Sequence, residues 1–172
     1  ILGDENADVL VIDPEREYWK LAEAFGGEVV RFSNGSKNHI NLFDFDFRLL
    51  DDPEVDIIAD KCQLVTSFIS CMDAKHPLNA QEKSFVDRCV QKAYAKSGVL
   101  KTLDPADMPT LGTFLECMKE ETENVSQEMK DKLIITIDMY VNGSAKYFNN
   151  LTNVDTKNRF IAYDIRDLNG NL

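Results

Sequence analysis

The chain has 172 residues, room for one ordinary domain, and its 19 Lys and Arg against 30 Asp and Glu give a formal charge of −11. Apolar residues make up 44% of the sequence, which excludes intrinsic disorder as a description of the whole chain. The charge argues against direct nucleic-acid binding, because phosphate backbones are bound by clustered Lys and Arg. No stretch is long and apolar enough to predict a transmembrane segment.

The ends of the chain and its cysteines bear on its origin. It starts at Ile1 rather than Met and stops shortly after an apolar run, so we expect a fragment of a longer protein. It shows no signal peptide. The four cysteines are far apart and the two histidines fit no zinc spacing. These features predict a cytoplasmic protein in a reducing compartment, with no metal site, in which Cys62 and Cys89 are small buried core residues.

The start of the sequence predicts a strand, a helix and a second strand. Residues 9–12 are four consecutive apolar residues followed by Asp13, which predicts a strand buried on both faces of a parallel sheet. Residues 14–25 predict a helix that ends at Gly26 or Gly27. Residues 28–33 predict the next strand, so this region forms a βαβ unit.

Helical periodicity begins at about Asp52. The apolar residues that follow recur at intervals of three and four, which predicts one face of a helix of several turns. This stripe consists of Val55, Ile58, Cys62, Val65, Ile69 and Met72. A second helix is predicted from Asn79, where Glu82 can complete a capping box, to Gly98.

Two more helices and a strand complete the predicted elements. One helix begins after Thr110, and another begins near Ser126 and ends at Gly143. The apolar run of residues 159–165 again predicts a buried strand.

The order of the elements predicts an α/β fold that is predominantly helical overall. It combines a partial parallel sheet, made of the βαβ unit and a returning C-terminal strand, with a large all-helical insertion. We expect residues 1–47 and 151–172 to belong to the sheet domain and residues 48–150 to form the helical bundle.

Three acidic residues follow the first predicted strand. Ligand sites in open α/β folds lie at the carboxyl ends of strands, so Asp13 could position water or magnesium there. Alternatively, Asp13 caps the next helix, and Glu15 and Glu17 stabilise its first turn. The residues alone favour the cap, because helix caps far outnumber catalytic acids.

Other candidate sites are weaker. The sequence has no GxxxxGK[ST] phosphate loop, no Gly-x-Ser-x-Gly elbow and no HExxH motif. Arg159 precedes the last strand and could reach the phosphate of a nucleotide in a neighbouring subunit, although plain solvent exposure is the simpler interpretation. The acidic stretch 116–131 is interpreted as a solvated helix face and loop.

Three segments together resemble one family. The first, residues 6–33, contains an apolar strand, Asp13-Pro14-Glu15-x-Glu17-Tyr18, a helix, Gly-Gly and a strand. The second is residues 38–44, where Leu42 replaces the usual Pro, and the third runs from residue 143 to 168. In order and spacing they resemble the large ATPase of VirB-type type IV secretion and conjugal transfer systems in bacteria, a member of the FtsK–HerA group of P-loop ATPases.

The resemblance implies that this chain lies between the Walker A and Walker B motifs of a motor ATPase. Glu17 is then the first choice for an active-site acid, followed by Glu15, while Asp13 is mainly structural. The parent protein would use ATP and magnesium, form a homo-oligomer, bind other secretion subunits and lie at the inner face of the cell membrane. The fragment alone would bind neither cofactor tightly and would show no turnover.

Two other hypotheses stay open. The helical insertion could be a non-enzymatic module that binds other secretion subunits, in which case we expect a large exposed apolar patch on its helices. The chain could also be a stand-alone α/β binding protein unrelated to secretion, which predicts a native start near Ile1 and no phosphate loop in the gene.

Overall fold

The computed structural model describes residues 7–33, 35–72, 75–143, 146–155 and 157–168. Asn6 and Ser144, which belong to the segments that resemble the family, lie outside these ranges. The chain divides into two compact units. A sheet unit contains the described residues up to Ile40 and from Thr152 onward, and a helical unit contains residues 41–151.

The sheet unit is a small parallel sheet with one short helix. Its elements are β1 (Val9–Asp13), α1 (Trp19–Ala24), β2 (Glu28–Arg31) and β3 (Phe160–Asp164). The strand order is β1-β3-β2, and both pairings are parallel. The last strand of the sequence therefore lies between the first two, which confirms the predicted α/β class with a returning C-terminal strand.

The helix α1 begins later than predicted. It starts at Trp19 rather than at residue 14, because the Asp13 carboxylate accepts hydrogen bonds from the backbone N–H groups of Glu17 and Tyr18. Arg16 has a φ of 62°, in the left-handed region, which interrupts a right-handed helix. Residues 14–18 therefore form a loop, and Asp13 holds this loop instead of capping the first turn of a helix.

The end of α1 is confirmed at Gly26, and Gly27 has a role that was not predicted. Gly26 has a φ of 66° and ends the helix. Gly27 lies so close to the sheet that a Cβ atom would be 2.6 Å from the carbonyl oxygen of Phe160, so only glycine fits there.

Burial of the strands differs from the prediction at β1. Val9 and Val11 pack with Ala22 of α1 on one face of the sheet. On the other face, Leu10 is 66% exposed and Ile12 is 70% exposed. β1 is therefore covered on only one face by the described residues, whereas the central strand β3 is buried as predicted.

Five helices make up most of the helical unit: α2 (Ile57–Met72), α3 (Ala80–Ser97), α4 (Val99–Thr102), α5 (Leu111–Glu120) and α6 (Gln127–Val141). The described chain also contains short 3₁₀ helices at Phe47–Asp51, Pro105–Asp107, Lys146–Phe148 and Arg166–Leu168. Among the helices in the described ranges, none is long and apolar enough to cross a membrane.

The predicted caps of these helices are confirmed. The Asn79 side chain accepts from the N–H groups of the first turn of α3, and Glu82 reaches back to the N–H of Asn79 at 2.8 Å. Gly98 ends α3 with a φ of 77°. Thr110 caps α5 and Ser126 caps α6. The first helix α2 begins at Ile57, a turn later than the periodicity predicts, and α4 was not predicted.

Aromatic residues organise the core of the helical unit. The ring of Phe43 contacts the rings of Tyr94 and Phe114, and the Tyr94 hydroxyl donates to the carbonyl oxygen of Phe43. The Asn41 side chain donates to the carbonyl oxygen of Pro109 at 2.9 Å. The segment that precedes the helices is thus part of the core that they enclose.

One acid of the stretch 116–131 is buried, which contradicts the prediction that this stretch is solvated. Glu121 is only 1% exposed, and Lys92 Nζ lies 2.8 Å from its Oε2 atom. The ammonium group of Lys130 donates to the carbonyl oxygens of Lys119 and Glu121. The hydrogen bond from Lys92, together with the N–H of Glu123, lowers the pKa of Glu121 to about 2 against the opposing effect of burial.

We expect Glu121→Gln to lower the free energy of unfolding by about 1–2 kcal/mol at neutral pH, because it removes the anionic partner of Lys92. The stabilisation is complete above the unfolded pKa of about 4.5 and is lost as the pH falls towards 2. Urea denaturation followed by far-UV circular dichroism measures it. Glu116→Gln, at an exposed acid of the same stretch, is the control and should change stability little; an equal effect of both substitutions would contradict the assignment.

Candidate functional site

Charged side chains converge where the three parallel strands end. Asp13, Asp164 and Arg31 are the last residues of β1, β3 and β2, and the strand register places Asp164 between the other two. Ligands of open parallel sheets bind at this edge. The edge is therefore the candidate functional site of the sheet unit.

Asp164 is the centre of this cluster. Its side chain is 1% exposed, and its Oδ2 atom lies 2.6 Å from Arg16 Nε and 3.0 Å from Arg31 Nε. The N–H of Arg166 donates to Oδ1 at 3.2 Å. Burial alone would raise the pKa of Asp164, but the hydrogen bonds from Arg16, Arg166 and Arg31 outweigh it and lower the pKa. Asp164 is therefore an ionised, fully engaged carboxylate.

Arg16 joins two acids. Its Nη2 atom lies 2.6 Å from Asp167 Oδ2, in addition to the contact of its Nε atom with Asp164. These two hydrogen bonds raise the pKa of the Arg16 guanidinium. The loop after β1 is thereby connected to the segment that follows β3.

Asp13 is occupied by backbone groups. Its Oδ1 atom accepts from the N–H of Glu17 at 3.1 Å and its Oδ2 atom from the N–H of Tyr18 at 2.9 Å. Burial would raise the pKa of Asp13, but these hydrogen bonds outweigh it and lower the pKa. Both oxygens are used to hold the loop, so the geometry favours a structural role.

The two glutamates occupy the same loop. Glu15 and Glu17 are both exposed to solvent beyond the carboxyl end of β1. The structure therefore brings Asp13, Glu15 and Glu17 together at one edge of the sheet. Which of them acts chemically stays a prediction.

Arg159 lies at the amino end of β3, whereas Asp164 lies at its carboxyl end. It directly precedes β3, its Nη2 atom donates to the carbonyl oxygen of Ala7 at 2.8 Å, and its Nε atom lies 3.7 Å from Asp8. Asp164 is the fifth and last residue of this strand. The Cα atoms of Arg159 and Asp164 are therefore about 16 Å apart along the strand. The structure does not bring Arg159 together with the three acids.

The described residues at this edge of the sheet engage their own carboxylates. Among them, no three His, Cys, Asp or Glu side chains are grouped closely enough to hold a metal ion. The oxygens of Asp13 and Asp164 already accept hydrogen bonds from the protein. Both carboxylates are therefore engaged by the protein's own donors.

The cysteines offer no reactive thiol in the core. Cys62, Cys89 and Cys117 are buried, as predicted for Cys62 and Cys89, while Cys71 is exposed. Burial raises the pKa of the Cys62 and Cys89 thiols to about 12. Such thiols are protonated at neutral pH and act as small core residues.

Sequence reasoning missed the basic half of the cluster. Arg16 and Arg31 were not predicted as site residues, and neither were Asp164 and Asp167. A signal was present, because β1 reads Val-Leu-Val-Ile-Asp and β3 reads Phe-Ile-Ala-Tyr-Asp. Two parallel strands that each end in Asp place two acids side by side, and a nearby Arg is then required to neutralise them.

We expect Asp164→Asn to lower the free energy of unfolding of the sheet unit by about 2–3 kcal/mol, since it removes the anion that two guanidinium groups share. Trp19, the single tryptophan of the chain, lies in α1 and reports this unit by fluorescence during urea denaturation. The loss should begin to shrink as the pH falls below about 4, the unfolded pKa of an aspartate, and should disappear only below the lowered pKa of the folded Asp164.

Asp167→Asn is the matched control, because the Asp167 side chain is 43% exposed. Exposed ion pairs contribute at most about 1 kcal/mol. An Asp164→Asn protein as stable as the Asp167→Asn protein would show that the buried carboxylate does not hold the strands together.

Comparisons with known proteins identify the fold. No family model matches the chain, and no curated protein matches it. The structure of VirB4 of Thermoanaerobacter pseudethanolicus matches with a TM-score of 0.76 and 23% sequence identity, over 97% of this chain. The match covers 44% of the VirB4 chain, so this chain spans less than half of that protein. The chain therefore has the fold of one part of VirB4, in agreement with the resemblance found in its sequence.

Proposed function

We propose that the chain is part of a type IV secretion ATPase of the VirB4 type. In this role the whole protein couples ATP hydrolysis to assembly of the secretion channel or pilus and to export of DNA or protein. The fold match over 97% of the chain carries this proposal. The location of the segment Asp13-Pro14-Glu15-Arg16-Glu17-Tyr18 at the carboxyl edge of a parallel sheet supports it.

Glu17 is the proposed active-site acid. Its N–H is fixed by Asp13 at 3.1 Å, while its side chain is exposed at the edge of the sheet. An exposed carboxylate on a backbone fixed in this way can accept a proton from a reacting water. Bound ATP and magnesium would supply the phosphoryl group and the ion that neutralises its charge.

The other parts of the site belong to the rest of the proposed ATPase. The sequence contains no phosphate loop, and we propose that this loop and the magnesium-binding acid lie in the longer protein. We also propose that the ATPase is a cytoplasmic homo-oligomer at the inner face of the membrane, in contact with other secretion subunits. The 172-residue chain by itself is then expected to show no ATP turnover.

The test is substitution of the two exposed glutamates in the longer ATPase. We expect Glu17→Gln to lower kcat for ATP hydrolysis by about a hundredfold or more, because the amide cannot accept the proton. Glu15→Gln, a substitution of the same kind two residues earlier on the same loop, is the matched control and should stay within about threefold of wild type, as expected for an exposed acid with no part in the reaction.

The results distinguish the candidates. A loss confined to Glu15→Gln would transfer the role to Glu15. Wild-type turnover in both variants would show that neither glutamate is catalytic and would leave the acids with a structural role in the loop. Thermal unfolding of both variants should match wild type, because both side chains are exposed.

A second candidate function is protein docking by the helical unit. Ile135 is 72% exposed and Met139, one turn later on α6, is 46% exposed. Apolar side chains paired in this way on an outer helix face are typical of helix-docking surfaces. If this face binds a secretion subunit, an Ile135→Lys, Met139→Lys double variant should lose the complex at unchanged thermal stability, as measured by sedimentation velocity. An unchanged complex would exclude this face.

A further inference from the structure

The loop 14–18 is attached to the sheet at two points. On one side, the Asp13 carboxylate holds the N–H groups of Glu17 and Tyr18 at 3.1 and 2.9 Å. On the other side, the Arg16 guanidinium holds Asp164 and Asp167, each at 2.6 Å. The amide of Glu17 is therefore attached to the end of β1, and the residue before it, Arg16, is attached to the end of β3.

The backbone of Arg16 indicates that its side chain has a specific task. Its φ of 62° lies in the left-handed region, which residues with a Cβ atom adopt only at a cost in free energy. Glycine would adopt this conformation without strain. An arginine at this position is accounted for by its side chain, since the ion pairs with Asp164 and Asp167 offset the strain.

The geometry of the two ion pairs suits arginine rather than lysine. One guanidinium uses Nε for the buried carboxylate of Asp164 and Nη2 for the half-exposed carboxylate of Asp167. The planar fork of donors fixes both acids at once, whereas an ammonium is a single point charge. The two ion pairs of Arg16 therefore fix the orientation of the loop 14–18 relative to the end of β3.

We propose that Arg16 is a positioning residue that fixes Glu17 relative to the carboxyl end of β3. The orientation of the proposed active-site acid then follows the position of the central strand, and release of the ion pair with Asp164 leaves the loop attached only through Asp13. The role of Glu17 rests on the proposed function, whereas the attachment of its loop to β3 does not.

Amide hydrogen exchange of the 172-residue chain, resolved by NMR, tests the attachment. We expect Arg16→Gly to accelerate exchange of the Glu17 and Tyr18 amides about tenfold or more, because the loop opens more often once it is released from β3. Arg16→Lys should give an intermediate acceleration. The amides of β3 should stay within about twofold of wild type, since the strand pairing is intact.

The matched control is Arg48→Lys. Arg48 also pairs with an acid, Asp46, but it belongs to the helical unit, whereas the loop 14–18 belongs to the sheet unit. This variant should leave the Glu17 and Tyr18 amides unchanged. Unchanged exchange of these amides in Arg16→Gly would overturn the positioning role. Equal acceleration throughout β3 would also overturn it, because Arg16 would then stabilise the sheet without orienting the loop.

Turnover of the longer ATPase separates this inference from the proposed function. Arg16→Gly should lower kcat with KM for ATP close to wild type, and Arg16→Lys should restore part of it. If the loop amides accelerate while kcat stays at the wild-type value, the attachment stands and the role of Glu17 is overturned. If Glu17→Gln lowers kcat and Arg16→Gly alters neither exchange nor kcat, the proposed function stands and the positioning role is overturned.

Discussion

The buried carboxylate of Asp164 is the interaction on which the sheet unit depends. Because β3 lies between β1 and β2, its last side chain meets an arginine from each side: Arg16, after β1, and Arg31, at the end of β2. An isolated buried carboxylate would take up a proton, since burial disfavours its charge. The two guanidinium groups keep Asp164 ionised, and one acid thereby connects three chain segments at the edge where a ligand of a parallel sheet would bind.

The parts of the fold that the sequence predicts well are those governed by neighbouring residues. The capping box of Asn79 and Glu82 and the left-handed Gly98 depend only on the chain within one turn of each helix end. Their positions are confirmed to the residue. The alternation of three and four in α2 likewise needs no knowledge of its partner, because one apolar stripe is sufficient to predict a buried helix face.

The features that were predicted wrongly depend on residues far away in the sequence. The run of residues 9–12 is typical of a strand covered on both faces, but the described residues pack over only one face of β1 and leave Leu10 and Ile12 exposed. Local pattern cannot show what packs against a strand. In the sequence, Glu121 has no feature that distinguishes it from the exposed acids of the same stretch. In the structure, the packing of α3 against α5 brings Lys92 to it. At the candidate site, Asp13, Glu15 and Glu17 could be named from the sequence because they follow an apolar run. The role of Arg16 could not, because it depends on an ion pair with Asp164, which is far away in the sequence.

The strand order also determines how this chain can fold. Arg31 and Asp164 are 133 residues apart, yet both strands they terminate must pair to form the sheet. The chain loses the entropy of closing this long loop before any contact of β3 with β1 or β2 forms. The helical unit, in contrast, is made of contacts between helices that are near one another in the sequence, and such contacts form faster. On a ribosome, β1 and β2 therefore emerge before their central partner β3, which is synthesised only after the helical unit. A folded insertion leaves fewer flexible residues in the loop that must close, and the entropic cost of closure falls as that loop shortens, so the insertion is a folding aid for the sheet that it interrupts.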